Sequence, residues 1–174
     1  MVNTAIIISV CALLFTIYSF WWMNWRKGKL KVSYFKHLGI SCNPKKLYIE
    51  LPLIFFNTGA LPVVVESLRL VLIDKNNSQH YLHFNAIRTG FAKEEGREFA
   101  TPFSINKGDS IKQYCEFQKN PSEIILETGK YKIRLEGKLY SKKDWNTLRY
   151  FEISISPEKL DGLQKHYEYL EELK

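Results

Sequence analysis

Lys130-Tyr-Lys-Ile-Arg-Leu-Glu-Gly-Lys-Leu-Tyr140 alternates between apolar and charged side chains. Successive residues of an extended chain point to opposite faces. Tyr131, Ile133, Leu135 and Leu139 therefore share one face, and Lys132, Arg134, Glu136 and Lys138 the other. A strand with one dry and one wet face belongs in an antiparallel sheet. The segments outward from it have the same character: Leu47–Phe56, Val63–Ile73, His80–Phe84, Glu98–Ile105, Ser110–Gln118 and Leu148–Ser156. β-branched and aromatic residues fill these runs, and Gly, Asn, Asp and Pro separate them. No helical crossover of useful length lies between them, which argues against a parallel α/β sheet. About seven such strands predict a mainly β chain built as an antiparallel two-sheet β-sandwich.

Two flanking features extend this reading. Asn57-Thr-Gly59-Ala-Leu-Pro62 joins two of the most apolar runs. Asn and Gly tolerate left-handed backbone, and Pro fixes the exit. The segment resembles the N-x-G-x-x-P turn of bacterial immunoglobulin-like and fibronectin-like sandwich domains, which implies a fold and no function. After the last strand, Ser156 suits an N-cap, Pro157 the first helical position, and Glu158 the positive end of the helix dipole. Leu160, Leu163, Tyr167 and Leu170 then repeat at three and four, predicting a C-terminal amphipathic helix. Such a helix packs on its own domain or on another copy.

The N-terminus is of another kind. Ala5–Phe20 reads AIIISVCALLFTIYSF without a charge; Trp21, Trp22 and Trp25 follow, and then Arg26, Lys27, Lys29 and Lys31. About 20 uncharged residues suffice for a helix to cross a bilayer, and tryptophan favours the headgroup level. A cleaved signal peptide carries its positive charge before the apolar run and small residues after it. Here the order is reversed and Trp-Trp-Met stands at the cleavage position. The charge bias predicts a single-pass protein of the inner (plasma) membrane, N-terminus outside and C-terminal domain cytoplasmic. The expected organisation is a transmembrane helix over 1–25, a basic juxtamembrane segment and first strand over 26–46, the sandwich over 47–156 and the C-terminal helix over 157–174.

One edge of the span is distinct. Ala5, Ser9, Ala12, Thr16 and Ser19 are small or hydroxylated and recur at steps of four and three. In lipid, helices associate through close approach at small residues and interhelical hydrogen bonds. The stripe predicts a homo-oligomer, in which Ser9, Thr16 and Ser19 either seal the interface or wet a central lumen. The alternative is a plain anchor, with the hydroxyls bonded to their own helix.

Beyond the span, about 145 residues remain, enough for one ordinary domain with a real core. Cys11, Cys42 and Cys115 suggest neither a disulfide framework nor a zinc site. His80 and His83 stand on opposite faces of a strand, and His37 and His166 lack neighbouring ligands in sequence. Cys115 alternates with Ile111 and Phe117 and reads as core, and Glu66, in an apolar strand, reads as buried or at a bulge. No phosphate-binding glycine loop and no G-x-S-x-G occurs. No catalytic residue, metal site or cofactor is therefore predicted, and the chain does not read as an enzyme.

Net charge is +7 and unevenly placed. No acid precedes Glu50, while Arg26, Lys27, Lys29, Lys31, Lys36, Lys45 and Lys46 do. Such a cluster sets topology and meets anionic lipid. A second basic region spans Lys130–Arg149, where Glu136 and Asp144 are the acids. Basic groups beside aromatic platforms suit a nucleotide or a short single-stranded nucleic acid. The candidate ligand residues are Lys132, Arg134, Lys138, Tyr140, Trp145 and Arg149; the alternative is a solvated, lipid-facing or partner-facing surface.

In size, order of parts and charge, the chain resembles the channel-forming membrane effectors of nucleotide-controlled bacterial anti-phage defence, the Hailong effector type. The resemblance implies a homo-oligomeric channel, tetrameric in that family. It also implies a partner nucleotidyltransferase whose deoxyadenylate product holds the channel closed. The competing expectation is a membrane-tethered binding or scaffold module without conductance.

Overall fold

The computed structural model describes residues 2–33, 35–43, 46–91, 95–120, 126–165 and 168–173. Lys45, His166 and Tyr167, which carry sequence expectations, lie outside the described residues. The chain is mainly β, with one apolar helix at its N-terminus. That helix, α1, covers Val2–Asn24. Its segment Asn3–Asn24 is long and apolar enough to cross a bilayer. At 1.5 Å per residue it reaches about 33 Å, close to the thickness of a hydrocarbon core.

The strands are β1 (Leu30–Val32), β2 (His37–Asn43), β3 (Lys46–Asn57), β4 (Val63–Ile73), β5 (Gln79–Arg88), β6 (Glu98–Phe99), β7 (Phe103–Ile105), β8 (Ser110–Lys119), β9 (Gly129–Leu139), β10 (Trp145–Ile155) and β11 (Glu168–Leu173). A short helix α2 (Pro157–Lys165) precedes β11. Every pairing is antiparallel. The sheet curls until its path returns on itself, running β4–β5–β8–β3–β2–β11–β10–β9 and back to β4. β6 and β7 extend it at β5 and β4, and β1 pairs with β3.

The alternation read from sequence places the core. Leu47, Ile49, Leu51, Leu53 and Phe55 of β3, Cys115 and Phe117 of β8, and Tyr131, Ile133 and Leu135 of β9 all join one buried cluster. Cys115 is core, as expected, and burial raises its thiol pKa.

The C-terminal segment differs from the expected helix over 157–174. Ser156 does cap α2: the Lys159 amide donates to Ser156 Oγ at 3.4 Å and the Leu160 amide to Ser156 O at 3.0 Å. Leu163 is buried, and α2 packs on β2. The helix stops at Lys165, and Glu168–Leu173 pairs with β2 on one side and β10 on the other. In this register Leu170 lies opposite Leu38 and both are buried. The slot between β2 and β10 offers ladder bonds on both sides, which outweigh the amphipathic spacing of a helix exposed at one face.

Candidate functional site

Helix and sheet are joined without a slack linker. The Ala60 amide donates to Arg26 O at 2.8 Å, and the Thr58 amide and hydroxyl both donate to Lys29 O at 3.2 Å. The Arg26 guanidinium donates to Thr58 O, and Lys107 Nζ to Met23 O in the last turn of α1. Two cations thus stand near the negative end of the helix dipole. Asn57, read from sequence only as a turn residue, organises this junction. Its side-chain amide donates to Leu61 O at 2.8 Å, Ile105 O at 3.0 Å and Asn106 O at 3.2 Å. Its Oδ1 accepts from the Gly59 amide at 2.9 Å. Gly59 and Gly28 meet backbone to backbone; a Cβ on Gly59 would lie 2.0 Å from Gly28 Cα.

The small-residue edge of α1 is open to the surroundings. Ala5, Ser9, Ala12 and Thr16 are exposed and Ser19 is half-buried. Ser9 Oγ donates to Ala5 O and Thr16 Oγ1 to Ala12 O, each at 2.9 Å. These bonds are the arrangement given for the plain-anchor alternative, and they leave the two oxygens facing outward as acceptors.

The basic residues predicted as one ligand site separate into distinct environments. Lys132 is exposed on the outer face of β9. Arg134, on the same face, has Nε 2.6 Å from Glu136 Oε1 and Nη2 3.3 Å from Gln79 Oε1. Lys138 Nζ lies 3.1 Å from Glu66 Oε2. Glu66 occupies a β-bulge, which turns its carboxylate toward that lysine. With Tyr140, Ser141, Lys142 and Lys143 the pair lines an open pocket of about 390 Å³. Trp145 is already stacked: the Arg69 guanidinium lies 4.2 Å from its ring centre and 4.8 Å from that of Tyr81, and Arg69 Nε pairs with Glu136 Oε2 at 2.6 Å.

Arg149 requires a correction. A bulge at Leu148 shifts the register between Thr147 and Arg149, so Arg149 pairs with Leu135 and takes the core-facing side. There it is buried, donates to Ser33 O and stands 5.2 Å from the centre of the Phe35 ring. It does not join the basic row.

Two features were missed in the sequence. Tyr150 is exposed and directly opposite Arg134, so it is the aromatic neighbour of the outer basic pair. Alternation through 150–154 carries that signal once the bulge is placed. The second feature is a buried ionic cluster on the outer side of β3, β5 and β8. Glu50 and Glu116 face each other in register and are both fully buried. Arg88 Nε lies 2.9 Å from Glu50 Oε1 and 2.7 Å from Glu116 Oε2. Arg97 makes bonds of 2.9 and 3.1 Å to Glu116, and Asn85 adds one of 3.0 Å. Burial alone would raise the Glu116 pKa; the donors from Arg97, Asn85 and Arg88 reverse this and hold it at about 2. Burial, then the Glu50 carboxylate bonded to its hydroxyl, push the Tyr48 phenol far up. Phe91 reaches over the same wall, 5.3 Å edge-on from Tyr114 of β8 and 5.4 Å from Tyr169 of β11. Phe91 and Arg97 thus add contacts from beyond β5 to this wall, and the ion cluster reads as structural.

No family model matches the chain, and no curated protein matches it. Among solved structures, a family 123 glycoside hydrolase from Clostridium perfringens is similar at 10% identity and a TM-score of 0.39, over 75% of this chain and 27% of the hydrolase. The putative ApaA protein from Bordetella pertussis is similar at 11% identity and 0.38, over 78% and 98%. A protein from Archaeoglobus fulgidus is similar at 12% identity and 0.40, over 75% and 98%. Likenesses of this size carry no argument about function.

Proposed function

We propose that the protein is a single-pass effector of the bacterial inner membrane, N-terminus outside, whose copies assemble through α1 into an ion-conducting or depolarising complex. The β domain faces the cytosol and sets the state of the assembly in response to an anionic nucleotide or oligonucleotide. We read the curled sheet as a sandwich closed at its edges, a stiff body rather than a hollow one. The observation that carries the proposal is the bonded junction among Arg26, Lys29, Thr58 and Ala60, with its Gly28–Gly59 contact. A domain fixed to its span can transmit a change in packing. A ligand biases the spans only by its difference in affinity for the two arrangements. The open small-residue edge of α1 supports association, and Lys132, Arg134 and Tyr150 supply a basic, aromatic outer face for the ligand. Anti-phage defence and a partner nucleotidyltransferase enter through the resemblance in layout.

The test is membrane potential on expression in bacteria. The chain is expected to depolarise the cells, and changing Ser9, Thr16 and Ser19 together to Leu to abolish this. Equal potentials with both chains would favour the alternative, a tethered scaffold without conductance.

A further inference from the structure

Lys130–Arg149 lies far from the span in sequence, yet the fold returns its tip to the span. The hairpin between β9 and β10, residues 140–144, is held at the start of β4: the Tyr140 amide donates to Val64 O at 3.1 Å. Val63 pairs with Ile105 of β7, and Asn57 ties the carbonyls of Ile105, Asn106 and Leu61 together. The turn at 57–62 receives the end of α1, and Lys107, in the next turn, donates to Met23 O. Three loops from distant parts of the chain are thus gathered where α1 enters the sheet.

The chemistry of this rim is that of a membrane interface. Lys27, Lys29, Lys107, Lys142 and Lys143 are exposed on it. Tyr140 is 77% exposed, the most exposed tyrosine described, and Leu61 is 40% exposed. Asp109 and Asp144 lie in the same turns as Lys107 and Lys143, and Glu66 is paired with Lys138. Exposed lysines flanking a tyrosine, at the level where a span leaves the bilayer, match anionic phosphate outside and an apolar boundary below.

We propose that the hairpin tip Tyr140–Asp144, led by Lys142 and Lys143 with Tyr140 as an interfacial aromatic, is a second contact with anionic phospholipid headgroups. It rests on the reading of α1 as a membrane span. Two contacts, one at the span exit and one at the hairpin, fix the tilt of the β domain on the bilayer, which a single helix exit would not do.

The test compares amide hydrogen exchange over 138–147 in the full-length protein, in nanodiscs of phosphatidylcholine alone or with phosphatidylglycerol. One lysine at an anionic surface is worth about a fivefold preference. Exchange in the hairpin is expected to slow by about that factor or more in the anionic discs. Lys142→Glu with Lys143→Glu should remove the slowing, and Lys130→Glu, at the far end of β9 from the hairpin, should keep it. Equal exchange in the two lipids overturns the proposal. So does equal slowing in phosphatidylcholine discs given inorganic phosphate or ATP, which would assign the tip to a soluble anion. Release of the protein from the discs by alkaline carbonate would instead remove the spanning reading itself.

Discussion

At the residue scale, the Glu50–Glu116 cluster shows what sequence conceals. Two glutamates directly opposed across a ladder are unfavourable unless cations intervene. Here Arg88 and Arg97 come from elsewhere in the chain to neutralise them. No local pattern announces that meeting. The consequence is measurable. Glu116 has its pKa lowered from 4.5 to about 2, so its contribution is present above about 4.5 and is lost as pH falls toward 2. Urea midpoints of the membrane-reconstituted protein are expected to drop over that window, and Glu116→Gln to flatten the drop. Glu116→Ala leaves Arg88 and Arg97 facing a buried gap and should cost about 3–5 kcal/mol. An unchanged midpoint in both variants would contradict the assignment. Arg149 teaches the complementary lesson. Charge and nearness in sequence group it with the basic row, and the bulge at Leu148 sets it on the other face.

The surviving outer pair also makes a residue-level prediction. Lys132→Glu with Arg134→Glu should weaken nucleotide binding and flatten its dependence on salt, because fewer phosphate counterions are released. Titration at two salt concentrations checks this; an unaltered slope would move the ligand elsewhere. Trp145, stacked on Arg69, contributes less, and Arg134 and Lys138, each already paired with a glutamate, contribute less than Lys132.

At the scale of elements, the amphipathic strands were legible because period-two alternation reports burial directly. β3, β4, β8, β9 and β10 follow the expected runs within a few residues. β1 and β11 are six residues or fewer, too short for a period to declare itself, and the run Glu98–Ile105, expected as one strand, divides into β6 and β7. The tail misled because Leu160, Leu163 and Leu170 fit a helical stripe, while Leu170 buries equally well in a strand. Leu170→Ala should therefore cost about 2–5 kcal/mol, the loss for a buried core side chain and not for a helix surface. A thermal melt shift near zero would contradict the burial of Leu170 between β2 and β10. The junction was half legible: the Asn57–Gly59 turn was visible, but its contact with Gly28 was not. Gly59→Ala forces that close approach apart. It should leave α1 in the membrane while exposing the segment 26–30 to limited proteolysis; cleavage equal to that of the parent protein would mean the junction is not tight.

At the scale of the molecule, a curled sheet whose path returns on itself carries a single apolar helix on one rim. Sequence indicated the helix, the strands and the uneven charge. It did not show that two basic regions converge on one rim, because convergence depends on which strands pair. The function proposed here depends on copies meeting along the edge of Ala5, Ser9, Ala12, Thr16 and Ser19. The most direct measurement is the native mass of the full-length protein in lipid nanodiscs, beside the variant with Ser9, Thr16 and Ser19 changed to Leu. A single closed oligomer that falls to a monomer in the variant is the predicted result; a monomer in both would contradict the account.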